Sequence, residues 1–146
     1  NPKFDESNKE NVYTRNKVRN LLIPYIEKEF NPNIIESISR LSDLATQESN
    51  FVDNVVDKEF KNTLISYNES EIKLDLKKFN NLDSFIKAKI ILKSVAKLFY
   101  TTKGIEKVHI EDVIKLCERN IGNKYLTPNR NLKFFIKKGV ITISKV

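Results

Sequence analysis

Arg15 and Arg19 stand four residues apart in the stretch 5–24, DESNKENVYTRNKVRNLLIP. Positions i and i+4 share one face of a helix, so both guanidiniums can be aimed at a single anion. Each offers a planar fork that grips a phosphate or a carboxylate through two hydrogen bonds. Within the helix no acid lies three or four residues from either arginine, so the two cations repel each other unless a ligand joins them. Val18, Leu21, Leu22 and Tyr25 fall at helical spacing on the other side and read as anchors. Thr14 is placed to cap this helix with its hydroxyl. Upstream, Asp5, Ser7 and Asn8 form a polar cluster with turn-forming side chains, and the two arginines with their apolar anchors make an anion clamp in outline. A solvated basic face has the same spacing, because charged residues mostly sit on exposed surfaces.

A second set of candidates follows from charge. The chain of 146 residues carries a net +7, unevenly: residues 1–31 balance to +1, 32–84 to −4 and 85–146 to +10. A basic C-terminal part suits a polyanion, and nucleic acid is the commonest such partner. Lys89, Lys93 and Lys97, spaced by four, form a ridge on one helix face, and Arg130, Lys133, Lys137 and Lys138 add to it near the C-terminus. These seven are the candidates for contact with an RNA backbone. Asp43, Glu48, Asp53, Asp57 and Glu59 mark an acidic helix face that repels phosphate.

Other chemistries are thinly supplied. Cys117 is the only cysteine and His109 the only histidine, so neither a disulfide nor a zinc site is expected. Cys117 reads as a small buried side chain and His109 as a structural one. Gly104, Gly122 and Gly139 lie too far apart to cradle a phosphate. No apolar run is long enough to span a membrane.

The elements that must position these residues follow from periodicity. A first helix runs from Thr14 to about Glu29 and is bent by Pro24. Asn31 as cap and Pro32 at the first position start a second helix reaching about Leu64, with Ile34, Ile38, Leu41, Ala45, Val52, Val56 and Phe60 as its apolar stripe. Glu71 to Leu76 alternates as a strand, Asn80, Asn81 and Asp83 make a turn and cap, and a third helix spans Ser84 to about Thr102, decorated by Lys87 and the lysine ridge. The second and third helices are expected to bury their stripes against each other. A fourth helix covers His109 to Arg119. Tyr125 and Leu126 are extended, Pro128 marks a turn, and Leu132–Ile136 and Val140–Ile143 pair as a hairpin, with Lys133, Phe135 and Lys137 facing away from Leu132, Phe134 and Ile136. The expected fold is mainly α within an α+β class: about four helices, one short strand and a C-terminal β-hairpin. Its parts are a polar motif and kinked helix (1–31), a helical domain (32–121) and the hairpin (122–146) packed on it.

The sequence of motifs carries a resemblance. Asp5-x-Ser7-Asn8, Tyr13-Thr14-Arg15-Asn16-x-Val18-Arg19, Ile23-Pro24 and Phe30-Asn31-Pro32-Asn33, leading to a helix with Leu41 and Leu44, resemble the segment after the catalytic domain of bacterial tRNA(Ile)-lysidine synthetases, enzymes of the PP-loop ATPase family. The resemblance implies an enzyme that adenylates the wobble cytidine of tRNA(Ile) with ATP and Mg2+, after which the amine of lysine displaces AMP. The phosphate loop of that family, Ser-Gly-Gly-x-Asp-Ser, does not occur in this chain. The chain therefore reads as a downstream piece of a longer enzyme, cut at both sides or from a shorter family member, and inactive as a ligase without the PP-loop domain. Its implied part is tRNA recognition in the cytoplasm, with no catalytic residue of its own and no metal. Asp5, Asn8, Arg15, Asn16 and Arg19 would contact tRNA, lysine or an ATP phosphate at the domain junction. Apolar surface at Leu21, Leu22 and Tyr25 that has lost its partner domain invites a homodimer. The alternative is a non-catalytic helical module that binds RNA or another protein.

Overall fold

The structure, a computed structural model, describes residues 13–119, 124–129 and 131–146. It divides into two compact units, Asn1–Asn50 and Phe51–Val146. The mainly helical α+β class holds.

In the first unit the helix of the clamp is built in three pieces: α1 (Thr14–Lys17), a π-helical turn (Val18–Leu22) and α2 (Ile23–Glu29). Pro24 is the cause. In an α-helix its ring would press on the carbonyl four residues back and its missing N–H would break the ladder. Here the preceding turn widens, the N–H of Ile23 donating to the carbonyl of Val18, so Pro24 enters at the start of α2, where no donor is needed. A π turn thus does the work expected of a kink. Thr14 is not the cap: helix α1 already includes it, and Tyr13 precedes it in extended conformation without a side-chain cap. After Phe30, whose ring meets Tyr25 edge-on at 5.8 Å, Asn31 accepts from the N–H of Asn33 at 2.9 Å. That turn leads into α3 (Ile34–Thr63), which starts two residues later than the Asn-Pro pair suggests.

In the second unit α3 ends where Thr63, fully buried, turns its hydroxyl back to the carbonyls of Glu59 and Phe60. The ammonium of Lys78 takes the exposed carbonyl of Asn62 at 3.0 Å. Then follow β1 (Leu64–Tyr67), β2 (Glu71–Asp75), α4 (Leu76–Asn80), α5 (Ser84–Phe99), α6 (Lys107–Glu118), β3 (Lys124–Asn129), β4 (Leu132–Lys137) and β5 (Val140–Lys145). The strands form one antiparallel sheet in the order β1-β2-β5-β4-β3, so the expected hairpin is half of a larger sheet. Strand β1 and the short helix α4 lie outside the sequence reading. Asp75 caps α4 at the N–H of Lys78 (2.8 Å), and Asp83 caps α5 at the N–H of Phe85 (2.7 Å), as its position before Ser84 predicts. Pro128 does not turn the chain; it sits within β3, at the sheet edge and at a shift of register, where a strand tolerates its missing donor. Lys138 and Gly139, both with positive φ, make the two-residue turn between β4 and β5.

One face of the sheet packs on α5 and α6. Ile72, Leu74, Phe134, Ile136, Ile141 and Ile143 leave almost no surface exposed and meet Ile90, Ile91, Leu98 and Val113 from the helices. From α3 only the last turns join this core, through Val56 and Phe60. The expected mutual burial of two long stripes is confined to them.

Candidate nucleic-acid interface

Arg15 and Arg19 are both exposed on the helix of the first unit, and among the described residues neither has an acidic partner. Their helix keeps them one turn apart through the widened segment. Asn16, between them, is buried, with 3% of its surface exposed, so it is held in the protein rather than offered with the arginines. Asp5, Asn8 and Arg130 lie outside the described residues. The side meant to anchor the helix is not covered: Val18, Leu21, Leu22 and Tyr25 are 40–57% exposed, and with Thr14 and Lys17 they line a shallow depression of about 460 Å³.

In the second unit the lysine ridge of α5 is largely engaged. Lys93 is paired with Asp57 of α3 and stands 5.9 Å from the ring centre of Phe60. The same hydrogen bond from Lys93 holds the Asp57 carboxyl below its ordinary value of 3.8. Lys89 lies over Phe85 at 5.5 Å and Lys97 over Tyr67 at 5.2 Å. The acidic face of α3 and the basic ridge of α5 therefore partly neutralise each other here. Lys87, read as decoration, is buried at 5% and donates to Glu118 of α6 at 2.9 Å, tying the two helices.

The hairpin lysines differ. Lys137 and Lys138 are exposed at the β4–β5 turn, and Lys133 stands 4.8 Å from the ring centre of Tyr125 and 5.8 Å from that of Phe135. Among the described residues none of the three has an acidic partner. Tyr125 and Phe135 were not among the sequence candidates. Alternation already turns Phe135 to the side of Lys133 and Lys137, but Tyr125 joins them only through the register that pairs it with Phe135.

His109 and Cys117 do structural work. The imidazole Nδ1 accepts from the N–H of Glu106 at 3.1 Å, closing the first turn of α6. Cys117 is fully buried, and burial pushes its thiol up to about 12, which removes it as a nucleophile. Among the described residues no three His, Cys, Asp or Glu side chains gather as a metal site. Among those residues, too, no helix is long and apolar enough to cross a membrane.

No protein-family model matches the chain. At 32% identity over 144 residues it is similar to the tRNA(Ile)-lysidine synthase of Clostridioides difficile (strain 630), across 99% of this chain and 31% of that protein. Proteins of the same name from Caldanaerobacter subterraneus subsp. tengcongensis and Clostridium acetobutylicum match at 31% over 127 residues and 32% over 144 residues. Those matches cover 87% and 97% of this chain, and 27% and 30% of the relatives. The chain thus spans under a third of the length of the curated relatives it matches. Its resemblance to bacterial tRNA(Ile)-lysidine synthases, carried by the motifs of residues 5–44, extends over almost all of its residues.

Proposed function

We propose that this chain is the tRNA-recognition part of a tRNA(Ile)-lysidine synthase, a cytoplasmic ligase that joins lysine to the wobble cytidine of tRNA(Ile). The observation that carries the proposal is the 32% identity to an enzyme of that name over 99% of the chain. Two physical features support it: the exposed arginines of the first unit, which have no acidic partner among the described residues, and the basic hairpin of the second. ATP, Mg2+ and lysine would be handled by a PP-loop domain elsewhere in the longer enzyme. The role of this chain is to hold the tRNA and, through Arg15 and Arg19, to hold an anionic group of a substrate beside that domain. The exposed apolar side at Leu21, Leu22 and Tyr25 suits contact with such a domain or with a second copy.

The test is Arg19→Ala in the intact enzyme. The melting temperature is expected to stay nearly unchanged while lysidine formation falls at least tenfold, about 1.4 kcal/mol of transition-state stabilisation. Arg19→Lys restores only part, because a point charge lacks the bidentate fork. A destabilised fold with full turnover per folded molecule would make Arg19 an ordinary structural residue. That result would favour the alternative, a helical binding module whose RNA contacts lie in its basic C-terminal part.

A further inference from the structure

The sheet has a second face, turned away from α5 and α6. Its register aligns Ser66, Lys73, Thr142, Phe135 and Tyr125 in one row across all five strands. The flanking rows are Glu71, Ser144, Lys133 on one side and Asp75, Val140, Lys137 on the other. Charge is divided along these rows. Both acids lie on β2, where Glu71 pairs with Lys73 at 2.6 Å and Asp75 is used as the cap of α4. The β4 side carries Lys133 and Lys137, with Lys138 at the turn beside them.

An antiparallel sheet can leave one face wet, but such a face is ordinarily polar. Here Tyr125 is 63% exposed directly opposite Phe135. The ammonium of Lys133 lies within cation–π distance of both rings. An exposed ring, here Tyr125 with the half-buried Phe135 beside it, bordered by cations is what an unpaired nucleotide requires: a flat surface for the base and charge for the flanking phosphates. A duplex keeps its bases stacked inside and cannot use the rings. A protein partner fits less well, since lysine is depleted at the centres of protein interfaces.

We propose that this open sheet face binds an unpaired stretch of RNA, one base stacking on the Tyr125–Phe135 surface and the adjacent phosphates meeting Lys133, Lys137 and Lys138. The inference rests on the reading that the chain contacts RNA, and adds which part of the RNA and which surface.

The experiment titrates the 146-residue chain into a single-stranded RNA octamer with 2-aminopurine at its centre, and separately into a duplex of the same sequence. Stacking is expected to quench the 2-aminopurine on binding. The double substitution Tyr125→Leu and Phe135→Leu keeps apolar volume but removes the π faces. It should weaken single-strand binding about fivefold or more and abolish the quench, with duplex binding changed less than twofold and the melt preserved. Lys133→Gln with Lys137→Gln should reduce the salt dependence of single-strand binding by about 1.4 in log–log slope. Single-strand binding that survives the double substitution, or never quenches the probe, overturns the stacking surface and leaves RNA contact elsewhere standing. A change of oligomeric state with unaltered RNA binding makes this face a protein interface and overturns the proposal. Absence of any RNA binding at low salt removes the RNA-contact reading and this inference with it.

Discussion

Helix α3 contains the same apolar rhythm in two settings. Along residues 34–50 Ile38, Leu41 and Leu44 are 56–66% exposed, whereas along 51–63 Val56 and Phe60 are 4% and 3% exposed. Both stretches repeat apolar residues at three and four positions, and no property of the repeat separates them. What separates them is supply. The second stretch lies against α5, where Asp57 pairs with Lys93, and its stripe joins the core that α5 and α6 build on the sheet. Amphipathic periodicity therefore reports which side of a helix seeks cover, and it does not report whether cover is present in the same chain.

The comparison breaks most sharply under truncation. Phe60→Ala should destabilise the second unit by about 3–5 kcal/mol, the usual cost of emptying a fully packed aromatic site, while Leu41→Ala should change stability by no more than about 0.5 kcal/mol. Chemical denaturation of both variants checks this. Equal losses would mean that the first stretch is covered in solution.

A smaller effect sharpens the view of the well-built unit. Lys138 holds a left-handed conformation, φ 49°, that costs a lysine side chain more than an asparagine. Lys138→Asn should therefore raise stability by up to about 1 kcal/mol. The same substitution removes one cation from the proposed RNA surface, so a gain in melting temperature should accompany a loss in RNA affinity at low salt. A fall in both would show that the turn depends on the lysine itself.

The smallest expected effect concerns the Asp57–Lys93 pair, which links α3 to α5. Because the Asp57 carboxyl is held below 3.8 by the hydrogen bond from Lys93, its contribution is present above that pH and is lost as pH falls through the lowered value. Asp57→Asn should leave the melt at pH 7 almost unchanged and flatten its decline below about pH 4. An unchanged acid limb in the variant would show that the pair adds nothing to the joint between the helices.

Much of the second unit was legible in the sequence because its signals are local. Alternation at 71–76, 132–136 and 140–143 marks strands to within two residues of their ends, and Asp83 announces α5. Strand β1 was hidden because Leu64 also completes the helical stripe of α3, and the true stop is the back-bonding of Thr63 to the previous turn. Helix α4 was hidden because its five residues show too little period to register. The tie from the buried Lys87 to Glu118 joins positions 31 residues apart, which no window of periodicity can see. In the candidate site, the exposure of Arg15 and Arg19 agrees with their spacing. The burial of Asn16 and the uncovered side of their helix depend on packing that spacing does not encode.

The strand order has a consequence for synthesis. Strand β5, last of the five in the chain, lies at the centre of the sheet between β2 and β4. Once β2 has left the ribosome, about 65 further residues must be added before its partner begins to appear, a delay of about 3 to 13 seconds at ordinary rates of translation. During that interval the β1–β2 hairpin carries an open edge and an apolar side with no sheet to join, the condition in which strands of neighbouring nascent chains pair with each other. Efficient production of this protein should therefore depend on how quickly residues 76–145 are translated, and slow codons there should lower its soluble yield more than slow codons before residue 64.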